Sequence, residues 1–273
     1  MTVAAPSTRS THVPADRHRL TLARTLRGEA IKLTTLRSTW WSIAITAALT
    51  IGIAALISSS IPGQQAGFNG VMTVVMPIQF TALLAGILGA IAVTGEYSTG
   101  MIRSTLTADP LRGRVLASKA IVVALFLFLA SLVIFLIAAV IASAILGGKG
   151  MPMDWSTPDA VILPLLAAAA TMAVCALIGL SFGFLVRSGA GAIAATVGLL
   201  FVLPIVSTLF ALGGKSWEWV SKAAAYLPLS AAQNAILPSD QAALSAGVAW
   251  LTLVLWVVAG LLGSWIVLRS RDA

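Results

Sequence analysis

Six stretches of the chain, roughly 40–60, 72–93, 116–146, 161–186, 192–212 and 248–268, are long, almost wholly apolar and nearly free of charge. A helix needs about 20 such residues to cross about 30 Å of hydrocarbon, and each stretch reaches that length. In water these helices would require a polar coat, yet only 10% of the 273 residues are charged and 59% are apolar, against about 25% charged in soluble domains. The apolar surface must face lipid, which excludes a soluble fold and predicts an all-α integral membrane protein with six transmembrane helices over residues 39–273. The third stretch exceeds the span length and is expected to tilt or run on past the bilayer. Residues 1–19 carry Pro, Ser, Thr and charges without an apolar core, so they read as a disordered tail rather than a cleavable signal. The single cysteine, Cys175, lies inside the fourth stretch and is expected to pack there.

Orientation follows from the basic residues. Of the 17 Lys and Arg, only Lys149, Lys215 and Lys222 fall on one side of six alternating spans; the other 14 fall on the opposite side with both termini. That asymmetry places the termini in the cytoplasm. Trp40, Trp41 and Trp265 then mark the inner interface, and Trp155, Trp217, Trp219 and Trp250 the outer one. The net charge of +8 is therefore a topology signal and not a nucleic-acid footprint.

The segments outside the spans are too short for an enzyme domain, and no catalytic constellation is evident. Gly213-Gly214-Lys215-Ser216 lacks the first glycine of a phosphate-binding loop, position 209 being Leu. His12 and His18 sit in the tail, Cys175 is buried in an apolar run and the acids are scattered, so no metal site is expected. Ion-coupled carriers place charged groups at mid-membrane, because a charge there is costly and is retained for function. Here the span interiors hold only Lys119, near the inner end of the third, with milder groups such as Gln79, Gly86, Gly89, Gly179 and Gly183. Any energy input is expected from another chain.

Two inner elements stand out. Residues 20–38 read as an amphipathic helix: at about 100° per residue Leu22, Leu26, Ala30, Leu33 and Leu36 share one face. Arg24, Arg27 and Lys32 point elsewhere, which suits a helix lying in the inner interface. Glu29 falls inside the apolar arc, three residues before Lys32, within reach of an ion pair. After the second span, Gly95 is expected to end the helix and Glu96 to open a short new one running past Thr99, Gly100 and Arg103. By spacing alone that segment equally suits an ordinary loop. On the outer side, residues 213–247 are too apolar for a free loop and are broken by Pro228 and Pro238, which predicts short helices dipping back into the leaflet. Pro204 is expected to kink the fifth span, as a gate hinge or as a packed structural bend. Gly179 and Gly183 permit close helix contact, within the subunit or across a dimer.

The runs Gly28–Trp41 and Thr94–Leu106 resemble the permease subunits of ABC-2-type transporters, most nearly the actinobacterial kind, over essentially the whole chain from Thr21. The resemblance implies cytoplasmic termini, a connecting helix before span one containing Glu29 and Lys32, a coupling helix between spans two and three containing Glu96, Thr99, Gly100 and Arg103, and re-entrant helices between spans five and six. It also implies a bacterial plasma-membrane exporter in which two permease subunits, identical or different, pair with separate ATPase subunits that bind the ATP and Mg. This chain would carry no cofactor, no metal and no catalytic residue of its own. The alternative from another class is an ATPase-independent channel, or a membrane-embedded immunity or scaffold protein.

Overall fold

The computed structural model describes residues 21–63, 68–108, 111–211, 217–239 and 242–270, and among these every regular element is helical. In chain order they are α1 (Leu22–Thr35), α2 (Arg37–Ser60), α3 (Val71–Val75), α4 (Ile78–Ser98), α5 (Met101–Ala108) and α6 (Arg112–Gly147), then α7 (Ile162–Val186), α8 (Gly189–Val197), α9 (Leu203–Ala211), α10 (Glu218–Ala224), α11 (Pro228–Ile236) and α12 (Ala246–Ser270). A π-helical turn, Gly198–Val202, joins α8 to α9. Six units are long and apolar enough to cross a membrane: Arg37–Ser60, Val71–Ser98, Arg112–Gly147, Ile162–Val186, Gly189–Phe210 and Ala246–Ser270. Each overlaps one of the six apolar stretches. The expected tail, His12, His18 and the Gly213–Ser216 segment lie outside the described residues.

The bundle is organised around α4 and α7, with α7 also meeting α6, α8, α11 and α12. Small residues make this possible. A Cβ added to Gly179 would lie 1.8 Å from the carbonyl oxygen of Gly86, and one added to Gly89 would lie 1.9 Å from that of Ala176, so the two backbones touch directly. Of the two alternatives for the Gly179 and Gly183 pair, the structure uses it inside the subunit, against α4. Around this seam Ala82, Ala90, Ala168, Ala169, Cys175 and Leu180 are fully buried, and Cys175 is plain packing. The outward faces are apolar instead: Leu125, Leu129 and Val133 on α6, and Leu251, Leu255 and Leu262 on α12, form exposed stripes at helical spacing. Small residues where the helix backbones meet, and large apolar side chains on the outward faces, suit a lipid-facing bundle. The 36 residues of α6 span about 54 Å, so the helix outruns any hydrocarbon core.

Several boundaries differ from the sequence reading. The predicted continuous helix over 20–38 is broken at Leu36, whose backbone is extended (φ −75°, ψ 119°). The indole of Trp40 donates to the Thr34 carbonyl at 2.7 Å and closes the resulting corner. Gly95 does not end the second span: α4 runs on to Ser98, and the break falls at Gly100, whose φ of +71° belongs to the left-handed region. In the fifth span, the irregularity next to Pro204 is the π turn just before it, and Pro204 is the second residue of α9. The described part of the 213–247 segment includes α10 and α11, with Pro228 opening α11 at the position where a missing N–H costs nothing.

Candidate functional site

Charge is scarce in this bundle, and four of the charged side chains meet at one point. Glu29 and Lys32 come from α1, Glu96 from the last turn of α4, and Lys119 from the eighth position of α6. Lys119 Nζ lies 2.6 Å from Glu29 Oε2 and 2.9 Å from Glu96 Oε1. Lys32 Nζ lies 2.8 Å from Glu29 Oε1 and 2.9 Å from the same Glu96 oxygen. Two carboxylates and two ammonium groups thus alternate around a closed ring that is formally neutral. Glu29 and Glu96 are each 4% exposed and Lys119 2%, so water contributes little and the partners must supply the solvation. Glu96 Oε2 is buried without a hydrogen-bond partner among the described residues.

The local sequence dictates this arrangement. Glu29 lies on the inward face of α1, beside Leu33, which packs on the core. A carboxylate in an apolar stripe must find a cation, and α6 presents one. Burial pushes the Glu29 carboxyl up, but Lys119 and Lys32 outweigh it and hold the group below the usual carboxylate range. Burial likewise pushes Lys32 down, while its hydrogen bonds to Glu29 and Glu96 raise it above the usual lysine value.

The Glu29 contribution to stability is therefore complete above the unfolded carboxylate value and is lost as pH falls through the depressed folded one. The Lys32 contribution is complete below the unfolded lysine value and is lost as pH rises through the elevated folded one. Thermal unfolding is expected to be flat between about pH 5 and about pH 10 on this account and to fall away at both ends. In Glu29→Gln the acid limb should flatten, which a midpoint-against-pH series would detect.

Beyond the ring the chain turns out of the bundle. Thr99 donates from Oγ1 to the Gly95 carbonyl at 2.9 Å, Gly100 makes the left-handed turn, and α5 begins. Ile102 is buried and anchors α5, while Met101, Arg103, Ser104 and Thr107 are exposed. The expected site residues thus divide. Glu29, Lys32 and Glu96 are brought together inside the bundle, and Thr99, Gly100 and Arg103 sit on the exposed turn and helix that follow. Glu96 is not in the first turn of a short helix, as the sequence reading had it, but in the last turn of α4. Against the weak helix propensity of Gly95, the paired Glu96 one residue later holds that last turn in place. Pro204 lies elsewhere, on the wall of a cavity at the opposite end. Lys119 completes the ring, and the sequence carried its signal: one lysine in a long apolar run must have an acidic partner.

The same end of the molecule is tied by two arginines. Arg187, the only non-glycine residue with positive φ among those described (φ 57°), donates from Nη2 to the Val267 carbonyl at 3.1 Å and stacks over the Tyr97 ring at 5.5 Å. Arg112 donates to the Leu268 carbonyl. Both cap the C-terminal end of α12, where helix carbonyls are unsatisfied and the dipole is negative.

No three His, Cys, Asp or Glu side chains cluster among the described residues, and both ring carboxylates are engaged by lysines. The ring is a fastener joining α1, α4 and α6, set directly behind the α5 projection. The profile described as ABC-2 family transporter protein matches residues 25–207, which takes in the ring, α5 and the α4–α7 seam. No curated protein matches the chain.

Proposed function

The chain belongs to the ABC-2 transporter family, and from that premise we propose that it is the permease subunit of an ATP-driven exporter, with hydrolysis carried out on a separate ATPase chain. As a family member with six apolar helices it is a multi-pass membrane protein and a membrane component of transport. The observation that carries the finer reading is the pairing of a short exposed helix, α5, with a buried ionic ring one turn behind it. In this reading α5 docks on the ATPase through Arg103, Met101, Ser104 and Thr107. Movement of α5 reaches α4 through the Gly100 turn, and the ring passes it to α1 and α6 without slippage.

The termini and α5 then lie in the cytoplasm of a bacterial cell, on the side favoured by the basic residues. The α1 helix lies along the inner interface, and α10 and α11 form the re-entrant pair on the outer side. A second permease subunit, identical or related, completes the path. Glu96, in this assignment, does not touch the ATPase but fastens α4.

The assignment separates two variants that the sequence alone would treat alike. Arg103→Ala should reduce stimulation of the co-purified ATPase by about fivefold or more, the scale of a typical coupling free energy, with an unchanged melting temperature. Adding Glu96→Ala should lower the melting temperature as well, because Lys32 and Lys119 lose a shared partner. Affinity purification of the tagged chain from native membranes decides the class. A stoichiometric ATPase supports the reading; its absence, with full activity of the purified chain alone, would leave a self-sufficient channel.

A further inference from the structure

At the end of the bundle opposite the ring, α9, α10 and α11 and the start of α4 line an open cavity of about 470 Å³. From Gln79 on its wall to Glu96 in the ring is seventeen residues along α4, about 25 Å, so the two sites are separated by most of a membrane thickness. A second cavity of about 370 Å³ shares Gln233 and Asn234 with the first. Its other walls are Met72, Val75, Met76, Ile78, Ile236 and Leu237. The two cavities adjoin across Gln233 and Asn234 as a recess with a hydrogen-bonding half and an apolar half.

Among the described residues, no charged side chain lines either half. Glu218 and Lys222, the charges on neighbouring α10, pair with each other at 3.2 Å and are not among the lining groups. An ionic group entering the recess would surrender hydration without meeting a counter-charge among the described residues, a strongly unfavourable exchange. The polar groups are nonetheless available. The side chains of Gln79, Ser221, Ser230 and Gln233 have no hydrogen-bond partner among the described residues, although all four line the first cavity. By contrast Ser207, Thr208 and Asn234 are already committed, donating to the carbonyls of Pro204, Ile205 and Ser230 at 2.7, 2.7 and 2.9 Å. Two free amides supply donors and acceptors together, which suits hydroxyl or amide groups on a ligand. In the apolar half, Met72 and Met76 offer unbranched, adaptable side chains that accept alkyl or ring surfaces of varied shape. Each volume lies within the ordinary range for small-molecule sites.

We infer that this recess binds an uncharged amphiphile, its hydroxyl- or amide-bearing head against Gln79 and Gln233 and its apolar part against Met72 and Met76. The inference deepens the transport reading by naming the ligand class at the outer end of the path, but binding itself requires no ATPase.

The test uses the full chain in lipid nanodiscs and three photoactivatable alkyl probes of equal chain length, one with a glucoside head, one with a quaternary ammonium and one with a sulfate. Mass spectrometry locates the crosslinks. The glucoside probe should label α11 and the start of α4 at least about tenfold more than either charged probe. Gln79→Leu with Gln233→Leu should remove most of that labelling. Gln233→Glu, which keeps the shape and adds one negative charge, should turn the preference towards the ammonium probe. Equal labelling by all three heads, or glucoside labelling untouched in a folded double-Leu variant, overturns the inference. The two readings fail separately. A missing ATPase in native membranes leaves the binding result standing, and absent labelling leaves ATPase association standing.

Discussion

Gly179→Leu is expected to eliminate the folded subunit, and Gly179→Ala to come close. At this position α7 lies against α4 so tightly that even the first side-chain carbon would sit 1.8 Å from the Gly86 carbonyl oxygen, whereas ordinary contact begins at 3.4 Å. The obstacle is backbone, so no rotamer relieves it. The helices would have to move apart by well over an ångström, and Gly89, facing the Ala176 carbonyl in the same seam, would lose its contact as well. Overpacking a core costs about 1–3 kcal/mol where side chains can adjust, and more where they cannot. In lipid there is no compensating hydrophobic drive between helices, so packing carries the association. The control is internal. Gly52, on α2, has nothing within 4 Å of its added Cβ, and Gly52→Ala should be neutral or stabilise by about 0.5–1 kcal/mol through helix propensity. Size-exclusion profiles and thermal unfolding of the three variants would show the ordering; a monodisperse Gly179→Leu would refute the seam.

Removing Lys119 should be nearly as damaging, for an electrostatic reason. With Lys119→Met the two carboxylates of Glu29 and Glu96 remain buried with only Lys32, whose side chain is one-third exposed. Breaking a buried ion pair by deleting one partner typically costs about 3–5 kcal/mol, because the remaining charge keeps its desolvation penalty. Replacing all four ring members by apolar side chains of similar size should cost far less than the single substitution, and can even stabilise. The measured pattern would therefore be non-additive: one lysine removed, a large fall in melting temperature; the whole ring removed, a partial or full recovery. If the ring transmits motion from α5, the fully apolar variant should fold yet lose coupling to the ATPase. A quadruple variant no more stable than Lys119→Met would count against the ring as an ion-paired unit.

The parts of this molecule that one residue type decides were legible in the sequence. Long uninterrupted apolar stretches leave a chain few options, so six spans follow from composition over a window, and Glu29, three residues before Lys32, signalled a local ion pair. The rest of the ring was out of reach. Lys32 lies one turn away and was visible, whereas Lys119 and Glu96 reach the same point from 90 and 67 residues along the chain, and only the packing of α1 on α6 and α4 brings them in. Boundaries failed where a weak local signal met a tertiary one. Gly95 is a plausible helix stop on propensity alone, yet α4 continues because Glu96, one residue later, is held in the ring. Leu36 fits the apolar face of a longer helix, yet it becomes the corner between α1 and α2. The recess was equally hidden, since Gln79, Ser221, Ser230 and Gln233 are unremarkable singly and acquire meaning only when four elements converge.

The π turn at Gly198–Val202 governs which way the outer half of its helix faces. Each α-helical residue advances by about 100°, so one extra residue in a turn rotates everything beyond it by that amount. Before the turn, Ala192 and Thr196 face inward; after it, Pro204, Ser207 and Thr208 reach the recess while Leu203 and Leu209 look outward. Deleting one residue within 198–202 would restore an ordinary helix and swing that wall away without altering the chemistry of any side chain that lines it. The aim of this wall of the recess is thus encoded as a count of residues, and among relatives the telling change here would be a one-residue gap.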